Sequence, residues 1–271
     1  YLPYDLILLK LWKKRKLSCF DWTEPWEIVY NMLSPRQREK LKHYESEIMK
    51  KSDVVFAASE ALYEAAAKLN ANSVLLPNAV SGDFLLKIKA PADEPVELKN
   101  IPRPILGHIA AISDWIDFEL LHMLLNKFPQ SSFVSIGAVR SYLDMSQFKK
   151  YKNAFFLGPK IYEKMPDYIR HFSAGLVLYK PDIIKISDAT KVYDYLGAGL
   201  PVISYETKSM FLGRYILFAK TREEYLRNIE RALAEPPALR AERAAAAANN
   251  TWDNRAATAA ASISSHLWEK K

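Results

Sequence analysis

Residues 184 to 205 read Ile184-Lys-Ile-Ser-Asp188-Ala-Thr-Lys191-Val-Tyr-Asp194-Tyr-Leu-Gly-Ala-Gly-Leu-Pro201-Val-Ile-Ser-Tyr205. Ser187 and Asp188 carry side chains that cap orphan backbone N–H groups, and no proline interrupts Thr190 to Gly197, so a helix is expected to start near Asp188. Gly197 and Gly199, followed by Pro201, end it. Within it Lys191 and Asp194 are three apart and share one face, while Val192 and Leu196 share another that can be buried. A helix N-terminus offers free N–H donors and the positive end of a dipole, and Lys191 adds a full charge one turn in, which suits a diphosphate. Asp194 accepts only, as a sugar or ribose diol requires. The other reading of the same spacing is an i,i+3 ion pair on a solvated helix, worth about 0.2–0.5 kcal/mol.

Outward from this stretch, short apolar runs alternate with longer helical patterns. The runs are Ser18 to Phe20, Val54 to Ala58, Val74 to Leu76, Ile105 to Ala111, Phe133 to Gly137, Gly175 to Tyr179, Val202 to Tyr205 and Tyr215 to Ala219. That alternation implies an α/β fold with parallel strands covered on both faces. Ligands of such sheets bind at the carboxyl ends of strands, so the loops after Gly107, Gly137, Gly158 and Tyr179 should form one rim.

The segment Asp188-Ala-Thr-Lys191-Val-Tyr-Asp194-Tyr-Leu-Gly-Ala-Gly-Leu-Pro201-Val-Ile resembles the donor helix of GT-B glycosyltransferases of group 1 (family 4-like), often written N-P-x-K-L-Y-E-Y-L-A-A-G-K-P-V-V. Pro104-Ile-Leu-Gly107-His-Ile-Ala-Ala-Ile-Ser-Asp-Trp115-Ile-Asp117 is similar to the first strand and loop of that family's C-terminal domain. Phe155-Phe-Leu-Gly158 with Tyr162, Pro166 and Tyr168 is similar to its F-L-G-x-x-x-Y-x-x-L-P-x-Y landmark. Ser52-Asp-Val-Val-Phe-Ala-Ala-Ser59 and Leu76-Pro-Asn78-Ala-Val-Ser-Gly-Asp-Phe84 look like the landmarks that close the N-terminal domain. Asn250-Thr-Trp252-Asp-Asn-Arg255 resembles N-x-W-x-x-R in the last helices. The chain has Asp188 where the family's Asn stands, Asp194 for its Glu and Ala110 for its second glycine.

The resemblance implies two Rossmann-like parallel-sheet domains. Residues 1–90 would be the C-terminal part of the acceptor-side domain, 91–103 the linker, 104–250 the donor-binding domain, and 251–271 a C-terminal helix packing back toward the first domain. The chain opens on Tyr1 rather than Met and the stretch before Ala90 is short for a whole domain. The N-terminal domain is therefore expected to be incomplete and to lack its glycine-rich acceptor loop. The polar segment Lys87 to Arg103, with Pro91, Pro95 and Pro102, reads as the linker independently of the resemblance.

Composition adds limits. The 271 residues are 49% hydrophobic, enough for a large core in one or two domains. The single cysteine, Cys19, excludes an internal disulfide framework and a cysteine-based zinc cluster. No uncharged apolar run reaches eighteen residues and no signal-peptide pattern is present, so a cytoplasmic location is expected. The net charge is +7. Lys10 and Lys13 to Lys16 beside Leu6 to Leu9, Leu11 and Trp12 form either a surface for an anionic membrane or a buried helix with a basic end. No nucleic-acid motif accompanies the charge. The histidines show no metal-ligand spacing, and the G-x-G-x-x-G, Walker and G-x-S-x-G signatures are absent. His108, after a strand, stands either against a phosphate or as a structural histidine.

The expected activity is transfer of a sugar, with retention, from a nucleoside-diphosphate sugar to a polysaccharide or lipid-linked acceptor. Retention and acceptor class come from the resemblance, as does the absence of a metal or other cofactor. Lys191 would stabilise the leaving diphosphate and Asp194 hold donor hydroxyls. Gly107, His108 and Ile109 would line the diphosphate; Lys160, Ile161 and Tyr162 would contact the base; Tyr179, Lys180, Asp188, Ala189 and Thr190 complete the donor set. Two other readings remain at this level: a non-catalytic nucleotide-sugar-binding or scaffold protein, and an epimerase of the same fold.

Overall fold

The apolar runs become strands in two separate parallel sheets. The structure, a computed structural model, describes residues 17–26, 33–185 and 188–269. The basic apolar segment of residues 6–16 and the Ser187 cap lie outside them.

The first sheet holds β1 (Cys19–Trp22), β2 (Val54–Ala57) and β3 (Ser73–Leu75) in the order β1-β2-β3. Cys19 lies opposite Val54 and Val55 opposite Ser73. The crossovers are the helices Pro35–Lys51 and Glu60–Ala67. Ser34 and Gln37 make a reciprocal capping box with Pro35 in the first turn, and Ser59 accepts from the Leu62 N–H, so both helices start where their polar caps dictate. All four residues of β2 are buried, as a central parallel strand covered on both faces requires.

The second sheet holds β4 (Ile105–Ile109), β5 (Ser132–Ile136), β6 (Ala154–Phe156), β7 (Ala174–Leu176), β8 (Val202–Tyr205) and β9 (Ile216–Ala219). All pairs are parallel and the order is β6-β5-β4-β7-β8-β9. Numbered within the sheet this is 3-2-1-4-5-6, the doubly wound order that reverses between β4 and β7. Two glycines let helices and loops press on these central strands. A Cβ on Gly107 would stand 1.9 Å from the Phe172 ring, and one on Gly175 would stand 2.3 Å from the Tyr195 ring.

Several boundaries differ from the sequence reading. β6, three residues at the sheet edge, lies outside the apolar runs named above, although the rim loop after Gly158 implies a strand there. β7 stops at Leu176, not Tyr179, because the following backbone turns to a loop: Asp117 N–H donates to Leu178 O (2.8 Å) and Lys180 N–H to Trp115 O (2.8 Å). The helix Gly82–Lys89, expected in the first domain, packs on the second: its Phe84, and Val80 just before it, are buried in the core of the second sheet. The 91–103 linker is no loose tether. Leu98 and Ile101 are buried in that same core, Lys160 pairs with Glu97 at 2.9 Å, and Arg170 donates to the carbonyls of Ala90 (2.7 Å) and Lys87 (2.8 Å).

The alanine-rich stretch is helical: Ala238–Ala248 packs on Lys191–Gly197, and Trp252–Glu269 lies against β2. Arg255 donates from Nε to Pro77 O at 3.0 Å, and Val80 exchanges backbone bonds with Asn250 and Trp252 at 3.1 Å each. The Trp252 ring, 44% exposed, adds little to this crossing. Among the described residues no helix is long and apolar enough to cross a membrane.

Candidate active site

A cleft of about 550 Å³ opens between the two sheets. Its second-sheet wall comes from the carboxyl ends of β4 and β7, where the strand order reverses: Ile109, Ala110 and Ala111 follow β4, and Tyr179 and the 188–194 segment follow β7. Doubly wound sheets bind ligands at this position. Thr23 and Glu24, just past β1, and Asn78, just past β3, complete it from the other side.

The helix Lys191–Gly197 begins three residues later than the sequence suggested. Thr190 occupies its N-cap without a side-chain bond. The expected cap, Asp188, is engaged elsewhere: its Oδ2 accepts from the Asn78 backbone N–H (2.9 Å) and the Tyr193 hydroxyl (2.7 Å), and the Asn78 amide donates to its carbonyl. Asp188 thus joins the loop after β3 to the donor-side segment.

The solvated ion pair is not what forms. Lys191 and Asp194 are only 9% and 4% exposed, and every residue of the helix is buried, so charged and apolar faces are not divided as expected. Lys191 Nζ donates to the Tyr179 hydroxyl at 2.5 Å and lies 4.0 Å from that ring's centroid. An ammonium has three donors, and Tyr179 takes one. Asp194 Oδ1 accepts from the Tyr162 hydroxyl at 2.8 Å, and the Tyr162 ring stacks on Phe84.

Burial pushes both carboxyls up to about 7. At Asp194 the Tyr162 hydroxyl and the Lys191 charge oppose the shift; at Asp188 the Tyr193 hydroxyl and the Asn78 N–H do so. The Asp188 carboxyl, which stands where the family has Asn, is therefore partly neutralised near pH 7.

The sign for stability follows. An acid with a raised folded pKa binds more protons folded than unfolded between about pH 4 and pH 7, so it costs stability as pH rises through that window, and no further above it. Asp194→Asn should thus gain stability relative to the native chain between pH 5 and pH 8, by about 1–3 kcal/mol. Urea melts at the two pH values check this, and a pH-independent difference would contradict it.

Of the residues expected to hold the donor, Ile109, Tyr162, Tyr179, Asp188, Ala189, Thr190, Lys191 and Asp194 line the cleft. Gly107 and His108 do not; they lie inside β4. His108 is fully buried, with Nδ1 3.1 Å from Leu176 O and its ring stacked on Phe133. Burial, then the Lys191 charge, lowers it to about 3, so the ring is neutral and Nδ1 carries the proton toward the carbonyl. Lys160 and Ile161 stand outside the lining, Lys160 on Glu97 and Ile161 64% exposed; Lys180 also lies outside. Thr23, Glu24, Asn78, Ala110 and Ala111 were missed, although Ala110 and Ala111 close the apolar run from Ile105 and Asn78 sits in a quoted landmark. Among the described residues no three histidine, cysteine or acidic side chains gather as a metal site.

Residues 119–261, more than half of the chain, match the family model described as glycosyl transferase-like. The chain is similar in structure to Anabaena HepE crystallised with UDP-glucose: TM-score 0.70, 13% identity, 91% of this chain and 72% of that one. It is also similar to the N-terminal domain of Candida albicans trehalose-6-phosphate phosphatase (TM-score 0.67, 13% identity, 92% and 64%) and to AviGT4, a glycosyltransferase of avilamycin A biosynthesis (0.53, 14%, 79% and 63%). No curated protein matches by sequence. At such identities the likeness speaks for the fold, two parallel sheets about a cleft, and the family match speaks for descent: the chain belongs to the glycosyl transferase-like family and is a glycosyltransferase of GT-B fold.

Proposed function

We propose that the protein transfers a sugar from a nucleoside-diphosphate sugar, with retention, to a carbohydrate or lipid-linked acceptor. One observation carries this reading: a buried ammonium, Lys191, and a buried carboxyl, Asp194, line the cleft at the reversal of the strand order. A fixed cation in a recessed site stabilises the charge that develops on a departing diphosphate, which is the work a metal would otherwise do. Asp194, already bonded to Tyr162, has acceptor capacity left for a sugar hydroxyl. The Ala189 to Lys191 segment offers backbone N–H groups at a helix start, where intrahelical partners are lacking. HepE was crystallised with UDP, and with UDP-glucose, which supports the donor class. The reading needs no cofactor. It puts the reaction on the cytoplasmic side, with the basic segment of residues 6–16 on an anionic membrane surface and no nucleic-acid partner.

The test is thermal melting of the chain and of Lys191→Ala with UDP, GDP, ADP and CMP in large excess. A nucleotide at about 100 times its dissociation constant adds about 2.7 kcal/mol, or several degrees for a chain of this size. A shift with one nucleotide that Lys191→Ala abolishes is the expected result. No shift with any of the four would reject the donor assignment.

A further inference from the structure

Glu45 stands outside the cleft, yet it ties down one of its walls. The side chain, on the helix Pro35–Lys51, is 5% exposed, and its Oε1 accepts two bonds: from the Trp22 indole Nε1–H at 2.7 Å and from the Trp26 backbone N–H at 3.1 Å. Trp22 is the last residue of β1, so one oxygen holds both ends of the segment 22–26. Thr23 and Glu24, the two cleft residues just past β1, lie between the ties. Packing works in the same direction. Trp22 is buried in the small core with Met49, one turn from Glu45, and the Trp26 ring meets Phe20 edge-on at 5.9 Å.

Glu24 is close enough to feel the Lys191 charge from the opposite wall. If the donor lies on the second sheet, as proposed above, whatever receives the sugar must approach from this side. We propose that Glu45 is a positioning residue that holds the Trp22–Trp26 segment so that Thr23 and Glu24 present hydrogen-bonding groups to a hydroxyl-bearing acceptor opposite Lys191. The placement as an acceptor wall rests on the donor reading; the tie itself does not.

The two bonds explain which substitution should be tolerated. Burial raises the Glu45 carboxyl to about 7, against the Trp26 and Trp22 bonds. Because both donors meet Oε1, a proton on Oε2 breaks neither. Glutamine keeps that carbonyl oxygen, whereas alanine leaves two donors without it.

The experiment uses the full chain with Cys19→Ser, which removes the single cysteine. Thr23→Cys then carries a nitroxide label. The spectrum is expected to be restrained with Glu45 and with Glu45→Gln, and mobile with Glu45→Ala. UDP, GDP, ADP and CMP affinities, by calorimetry, should stay within about twofold among the three, as for sites without shared partners. A label equally restrained with Glu45→Ala, or equally mobile with Glu45, overturns the tie. A Glu45→Ala chain that loses nucleotide affinity more than about fivefold overturns the acceptor side, since the wall would then serve the donor. If no nucleotide binds the parent chain, the donor reading fails while the spectra still decide what Glu45 does.

Discussion

Lys191→Ala is expected to slow sugar transfer by about 10²–10³-fold, the usual cost of removing one fixed group that meets developing charge. Among the described residues lining the cleft, Lys191 is the one cation. Its ammonium is buried and oriented by the Tyr179 hydroxyl and ring, so no reorganisation is needed when a diphosphate departs. Water filling the vacated space cannot supply a full charge. The loss should appear in both kcat and kcat/KM, because the interaction grows toward the transition state. Lys191→Arg keeps the charge but must fit a larger planar group into a site only 9% exposed, so an intermediate rate is expected. Steady-state kinetics with the nucleotide sugar identified by melting provide the check. A Lys191→Ala rate within about tenfold of the native one would remove Lys191 from the chemistry.

Asp117→Ala should destabilise the chain by about 2–4 kcal/mol, from the loss of a helix cap and of buried hydrogen bonds to a carboxylate. Asp117 is 3% exposed and its side chain joins three elements of the second domain. Oδ1 accepts from the Leu120 N–H at 3.0 Å and so caps the helix Phe118–Lys127. Oδ2 accepts from the Tyr205 hydroxyl at the end of β8 (2.8 Å), and both oxygens take the Arg222 Nε–H (3.2 and 3.0 Å) at the start of the helix Arg222–Leu233. Burial opposes its ionisation, but Arg222, the Leu120 N–H and Tyr205 more than offset it, and the carboxyl sits below its ordinary value.

The same residue positions the site, since its backbone N–H takes Leu178 O just before Tyr179. Asp117→Asn keeps an oxygen for the cap while losing the charge and turning an N–H donor toward the Tyr205 hydroxyl, so its loss should be smaller. At about 2–4 °C per kcal/mol, the alanine variant should melt at least several degrees lower. A melting temperature within one or two degrees of native would show that Arg222 and Tyr205 find other partners.

Much of this molecule is legible along the chain. Runs such as Val54 to Ala58 and Ile105 to Ala111 are apolar throughout because central parallel strands are covered on both faces, and that signal is local. The family likeness is likewise built from short local motifs in sequence order, such as the segment that holds Lys191, Asp194, Gly197 and Pro201. Strand order, by contrast, is a set of pairings between distant residues, such as Gly107 with Gly175, and no local pattern encodes it.

The site divides in the same way. Residues within a turn of Lys191 could be named from spacing, but the cleft needs Thr23, Glu24 and Asn78 from the other sheet. Asp188 shows the limit most clearly. By spacing it is a helix cap; in the fold it is a buried carboxyl bonded to Asn78, 110 residues away, because that distant N–H was brought within 2.9 Å. His108 and Lys160 stand outside the cleft lining for related reasons. Alternation along β4 decides which way His108 points, and Glu97, 63 residues away, decides where the Lys160 ammonium rests. Sequence periodicity determines which residues form strands and helices; which side chains meet across a cleft, and whether a carboxyl there is charged, depends on burial and partners that exist only once the two sheets have packed.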